Sequence, residues 1–141
     1  MKNASKAIRD AYRVALTGLT YNGTSVPVYD DAPVQTVPDY YILIGNITEA
    51  NEANDHLFIR PTEIVIDVVT RQYMYKDRDA VDSISQSITE AVLATIPGNL
   101  LNADFYIGHI QNSNSLYLDG RDGETYITRK ILTFTQSLIQ K

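Results

Sequence analysis

Cysteine is absent from the 141 residues, which removes disulfide staples and thiolate metal chemistry from consideration. Tryptophan is absent as well, and the only histidines, His56 and His109, stand in no Glu-x-x-His spacing, so a zinc site lacks a donor set. No glycine-rich phosphate loop precedes a helical pattern, and no serine sits in a Gly-x-Ser-x-Gly elbow. Cations are outnumbered, 12 Lys and Arg against 17 Asp and Glu for a net charge of −5, and only Arg129-Lys130 are adjacent. Affinity for a phosphate backbone needs clustered cations, which argues against a tight nucleic-acid binder. A wall past which DNA must slide tolerates this sign. No apolar run approaches the roughly 20 residues that span a bilayer. The first five residues lead into an amphipathic segment rather than a signal-like apolar one. The expectation is a soluble protein made in a cytoplasm, with no membrane partner and no cofactor.

What is present is ordinary globular material, 44% hydrophobic and 21% charged, enough for one core in a single domain over 1–141. The densest β-branched run, residues 62–70, predicts a strand. Ile64, Ile66 and Val68 share one face of it, and Glu63, Val65, Asp67, Val69 and Arg71 share the other. The period then changes. Val81, Ile84, Ile88, Ala91, Val92 and Ile96 draw one stripe of a helix that starts near Asp77 or Asp79 and stops at Pro97-Gly98-Asn99.

The remaining pattern fits around this pair. An amphipathic helix with Asn3 or Ser5 as cap carries Ala7, Ile8, Ala11, Tyr12, Ala15, Leu16 and Leu19 on one stripe, and Gly18 ends it. Asn22-Gly23 predicts a hairpin turn between arms 19–21 and 25–29. Residues 30–39 read as an extended loop, 40–45 as an apolar strand, and 46–60 as a long polar connection. Residues 105–110 predict a strand, 112–115 a polar turn or bulge, and 116–118 a resumed strand. Residues 119–124, Asp-Gly-Arg-Asp-Gly-Glu, predict a turn with both glycines at positive φ. A long last strand runs from about Tyr126, antiparallel to its predecessor. The fold class is therefore α+β: a mostly antiparallel sheet of four to five strands packed against two helices.

Candidates for chemistry are few. His109, on an apolar strand, reads as a core or interface residue rather than a ligand. The cluster at 119–124 lacks the alternate-residue ligands of a calcium loop. Acids near Asp67 or Asp122 supply the only material for a small hydrolase, and nothing in the sequence pairs them. Tyrosine, by contrast, is abundant, ten residues against three Phe, and most fall on or beside predicted strands. An apolar body with a polar tip suits a surface that a partner covers.

The order of these pieces resembles the tail-terminator or tail-completion proteins of tailed bacteriophages. The resemblance rests on Asp31-Ala32-Pro33, on Pro38-Asp39-Tyr40-Tyr41-Ile42, and on the strand Ile64-Val65-Ile66-Asp67-Val68-Val69-Thr70. It continues through the helix from Asp79 to Ile96, the turn Asp122-Gly123-Glu124-Thr125-Tyr126, and Ile131-Leu132-Thr133-Phe134. It covers nearly the whole chain by order and texture, without a specific motif. It implies a non-enzymatic virion protein of the neck or tail. Such a subunit builds a homo-oligomeric ring, six-fold or twelve-fold, that joins the head connector to the tail while DNA passes through the lumen. On this reading the contacts to neighbouring subunits or the lumen fall to Glu63, Asp67, Arg71, Asp122, Glu124, Tyr40 and Tyr73. The alternative reading is a small ligand- or peptide-binding module without catalysis, which requires a preformed pocket.

Overall fold

The computed structural model describes residues 4–33, 36–49, 59–95 and 105–140. Helix α1 spans Ala4–Leu16 and helix α2 Asp79–Thr95. The strands are β1 (Thr20–Tyr21), β2 (Thr24–Ser25), β3 (Val28–Tyr29), β4 (Tyr40–Glu49), β5 (Ile59–Tyr73), β6 (Phe105–Asp122) and β7 (Thr125–Gln140). Strands β1 and β2 form a separate two-stranded ribbon, and the other five form one sheet in the order β3-β4-β5-β7-β6. Every pairing in that sheet is antiparallel except β3 with β4. The predicted α+β architecture is the one observed.

Both helices begin and end where local chemistry dictates. Gly18, at φ 93°, takes the left-handed conformation that closes α1. Before α2, the Asp77 carboxylate accepts from the Asp79 N–H at 2.9 Å, and Asp79 and Asp82 lie in the positive first turn. The predicted stripe of α2 is the buried one, with Val81, Ile84, Ile88 and Val92 inaccessible. Ile96 and the predicted stop at 97–99 lie outside the described residues, as do His56 and the cap candidate Asn3.

Alternation on the strands separates two faces. Thr62, Ile64, Ile66, Val68, Thr70 and Gln72 of β5 are all buried beneath the helices, beside Leu132, Phe134, Gln136 and Leu138 of β7. Tyr12 of α1 reaches through this layer. Its ring tilts against Phe134 with centroids 6.0 Å apart, and its hydroxyl donates to Gln136 Oε1 at 2.6 Å. Gln136 Nε2 donates in turn to Thr62 Oγ1 at 2.7 Å. A chain of buried partners therefore spans helix, β7 and β5.

The structure corrects several boundaries. Asn22 and Gly23 at φ 48° and 77° make the expected hairpin turn, but the second arm stops at Ser25. Pro27 cannot donate to a ladder, so the chain leaves the ribbon and Val28–Tyr29 joins the main sheet in parallel, with Pro27 O accepting from the Ile42 N–H. The connection expected over 46–60 is shorter than predicted, because β4 continues to Glu49 past a bulge between Ile44 and Ile47, and β5 begins at Ile59. Of the turn or bulge expected at 112–115, the bulge is observed: the chain continues as strand with a register shift between Asn112 and Asn114. Its polarity reflects an exposed sheet edge, since residues 111–116 are all exposed. At 119–124 only Gly123 has positive φ, at 60°. Gly120 lies within β6, and the turn contracts to Gly123 and Glu124 between the paired Asp122 and Thr125.

Candidate functional site

The two helices pack on one face of the sheet, and no element among the described residues packs on the other. Register assigns the composition of this bare face. One row across four strands runs Leu43, Asp67, Ile131, Leu116, and the next runs Tyr41, Val69, Arg129, Leu118. Arg71 and Ile127 follow on one side, and Val65 and Thr133 on the other. The result is a mostly aliphatic surface with two arginines near its centre. Leu116 and Leu118 are 51% and 40% exposed.

The central charges are Asp67 and Arg129, in adjacent rows and so diagonal neighbours. Arg129 Nε donates to Asp67 Oδ2 at 3.1 Å, and its Nη2 donates to the same oxygen. The hydrogen bonds from Arg129 to the carboxylate raise the guanidinium pKa further, against the lowering effect of burial. Asp67 is only 7% exposed although no helix covers it. Neighbours on its own face bury it. Beside it, the Tyr41 ring meets Tyr29 edge-on at 6.1 Å, and burial raises the Tyr41 pKa.

The predicted contact residues divide by face. Glu63, Asp67, Arg71, Tyr73 and Asp122 share the bare face, with Glu63 and Asp122 exposed at its rim. Tyr73 is 63% exposed, and its hydroxyl donates to the Glu124 carboxylate at 2.7 Å, a bond that raises the Tyr73 pKa. Glu124 sits in the β6–β7 turn, where its carbonyl accepts from the Met74 N–H at 2.8 Å. Tyr40 does not join them. It points to the helix side, where its ring packs edge-on against Tyr21 at 5.2 Å. Of the two expectations for His109, core or interface, the structure rules out the core. A shift in register between Ile107 and Ile110 lets both isoleucines point inward and leaves His109 exposed.

Three features of this surface went unread in the sequence. Alternation along the last strand sets Arg129 between Ile127 and Ile131, but only the β5–β7 register brings it to Asp67. Leu116 and Leu118 are legible as strand, but their place beside Ile131 and Arg129 on the bare face follows only from the β6–β7 register. Arg9 of α1 crosses to the far edge of the sheet, donating to the carbonyls of Ile44 at 3.1 Å and Gly45 at 2.9 Å. No sequence spacing signals that contact.

The two acids considered for hydrolysis do not come together. Asp67 is engaged by Arg129, and Asp122 lies about six residues further along the sheet, roughly 20 Å away at ~3.3 Å per residue, too far to share a proton. Among the described residues no three His, Asp or Glu side chains are grouped to hold a metal ion, and no helix is long and apolar enough to cross a membrane. Toward the other end of the sheet an open groove of about 430 Å³ is lined by Thr48, Pro61, Glu63, His109, Gln111 and Thr135, among others.

No protein-family profile matches the chain, and no curated protein matches it. The fold is similar to that of a chain in a solved structure, the virion of a native gene transfer agent particle. The TM-score is 0.56 at 16% identity, over 81% of this chain and 78% of that one. At this identity the similarity is one of fold.

Proposed function

We propose that this chain is a structural virion protein, not an enzyme. In this reading it forms a ring in the neck or tail of a phage or phage-like particle, joins the head connector to the tail, and lets DNA pass. The observation that carries the reading is the fold shared, over most of both chains, with a component of a gene transfer agent virion. Two further properties support it. A ring subunit needs surface it cannot cover itself, and the bare sheet face offers aliphatic residues, a tyrosine and a pre-paired charge. A lumen that must not grip DNA is compatible with a net charge of −5.

Light scattering and negative-stain imaging test the proposal, on the purified chain alone and co-expressed with connector and tail proteins from the same genome. Closed rings of six or twelve subunits are expected. Particles made without the protein should yield filled heads and unattached tails. A strict monomer that binds none of those neighbours refutes the reading.

The groove at Thr48 and Gln111 favours a second reading, a ligand- or peptide-binding module, since its volume is that of a small-molecule site. A ligand found by thermal-shift screening that protects His109 from modification, on a chain that never assembles, would establish it instead.

A further inference from the structure

We infer that the bare sheet face is covered by the helix layer of a second copy, one head-to-tail interface repeating around the ring. The inference rests on the ring reading above and adds which two surfaces meet.

The size is sufficient. Four strands at ~4.8 Å spacing and about 15 residues at ~3.3 Å give a face of roughly 900 Å², against the ~800 Å² per partner of a standard interface. The chemistry at the centre is also that of a surface meant to lose water. Leu43, Ile131, Leu116, Val69, Leu118 and Tyr41 surround an ion pair that is already closed, Asp67 with Arg129. Covering that pair leaves no charge without its counter-ion, which is the costly outcome when charges are buried.

Charge points to the occupant. Arg71, on the same face, has no carboxylate partner among the described residues, and it is only half-exposed. On the outer side of α2, Glu90 is exposed and has no cation partner among the described residues, its carboxylate accepting from Gln86 Nε2 at 3.1 Å. Leu93, one turn along from Glu90, is 43% exposed, and Val14 on the outer side of α1 is 72% exposed. The helix exterior therefore offers Arg71 an unpaired acid set beside apolar side chains, whereas Glu63 and Asp122, acids of its own face, lie out at the rim. Two sheet faces meeting about a two-fold axis through their centres would instead set the Arg71 of both copies near each other without an acid between them. Because the sheet face and the helix exterior lie on opposite sides of the chain, their union is heterologous, the type of contact that closes rings.

Four single variants and one double variant test this by native mass spectrometry and cross-linking at concentrations where the wild type forms rings, with circular dichroism as the folding control. L118E on the sheet face and L93E on the helix exterior should each cut the ring fraction at least tenfold. Mixed together, they should give a heterodimer and nothing larger, since each retains one intact surface. R71E and E90R should each weaken rings, and the double variant R71E/E90R should restore them. The inference is overturned if rings survive L118E, if the folded L118E and L93E chains do not pair, or if the wild type stops at a dimer. A wild type that forms no ring alone or with its neighbours removes the ring reading itself. Rings that persist in L118E remove only this interface.

Discussion

Replacing Tyr12 with phenylalanine isolates the polar chain that ties α1 to the sheet. The ring and its contact with Phe134 remain, and only the hydroxyl that donates to Gln136 Oε1 is lost. Gln136 is 4% exposed and keeps its Nε2 bond to Thr62, so its oxygen is left buried and without a donor. An orphaned buried acceptor costs about 1–3 kcal/mol. A chain of 141 residues has an unfolding entropy near 0.3 kcal/mol/K, so Tyr12→Phe should lower Tm by about 3–10 °C. The same loss should appear as a shift in urea midpoint at constant slope. Gln136→Leu removes the acceptor instead, leaving the Thr62 hydroxyl its bond to the Gln136 backbone carbonyl at 3.3 Å. The double variant should therefore cost less than the sum of the singles by about 1 kcal/mol or more. A Tyr12→Phe chain within about 0.5 kcal/mol of wild type, or a double variant that is strictly additive, refutes the network as described.

Three further outcomes follow from other contacts. Arg9→Ala strips the donors from the Ile44 and Gly45 carbonyls and should cost about 1 kcal/mol in urea unfolding; an unchanged midpoint refutes the cap. Thr128→Val removes a buried hydroxyl with no hydrogen-bond partner and should leave stability unchanged or raise it by about 1 kcal/mol, whereas a clear loss shows that the hydroxyl is satisfied. Burial raises the Tyr12 pKa, and the bond to Asp79 pushes Tyr21 up to about 12. The unfolded chain releases these protons near the ordinary phenol value of about 10, so their contribution is complete below pH 10 and declines as the pH rises beyond it. Urea midpoints that stay flat from pH 8 to 11 contradict this, and Tyr12→Phe should reduce the slope.

The sequence exposed the layers more fully than the connections. Long stretches with one clear period, 62–70 and 79–92, were legible because burial on one side forces alternation or a stripe. The Asn22-Gly23 and Gly18 positions were legible because only a few residues adopt positive φ cheaply. The edge strand β6 was legible only as two pieces, 105–110 and 116–118, because exposed Asn112, Ser113 and Asn114 carry turn-like composition while Asn112 and Asn114 pair with β7 across a bulge. For the candidate surface, Asp67 and Arg71 could be read from alternation along one strand. Arg129 needed the β5–β7 register, which brings together residues 62 positions apart. Tyr40 falls on the helix side because its register with Thr70 places it over the core.

The arginine that caps β4 gives the sheet a direction. Arg9 occupies carbonyls of β4 just past the two-residue β3, while β6, 18 residues long, has no strand beyond it among the described residues. One border is closed by a guanidinium and the other is open. Fibrils grow by adding a strand to each border in turn, which requires both to accept one. A folded chain with a single receptive border can join one other such chain and then has nothing left to extend. Edge-to-edge pairing of folded chains would therefore stop at a pair rather than propagate.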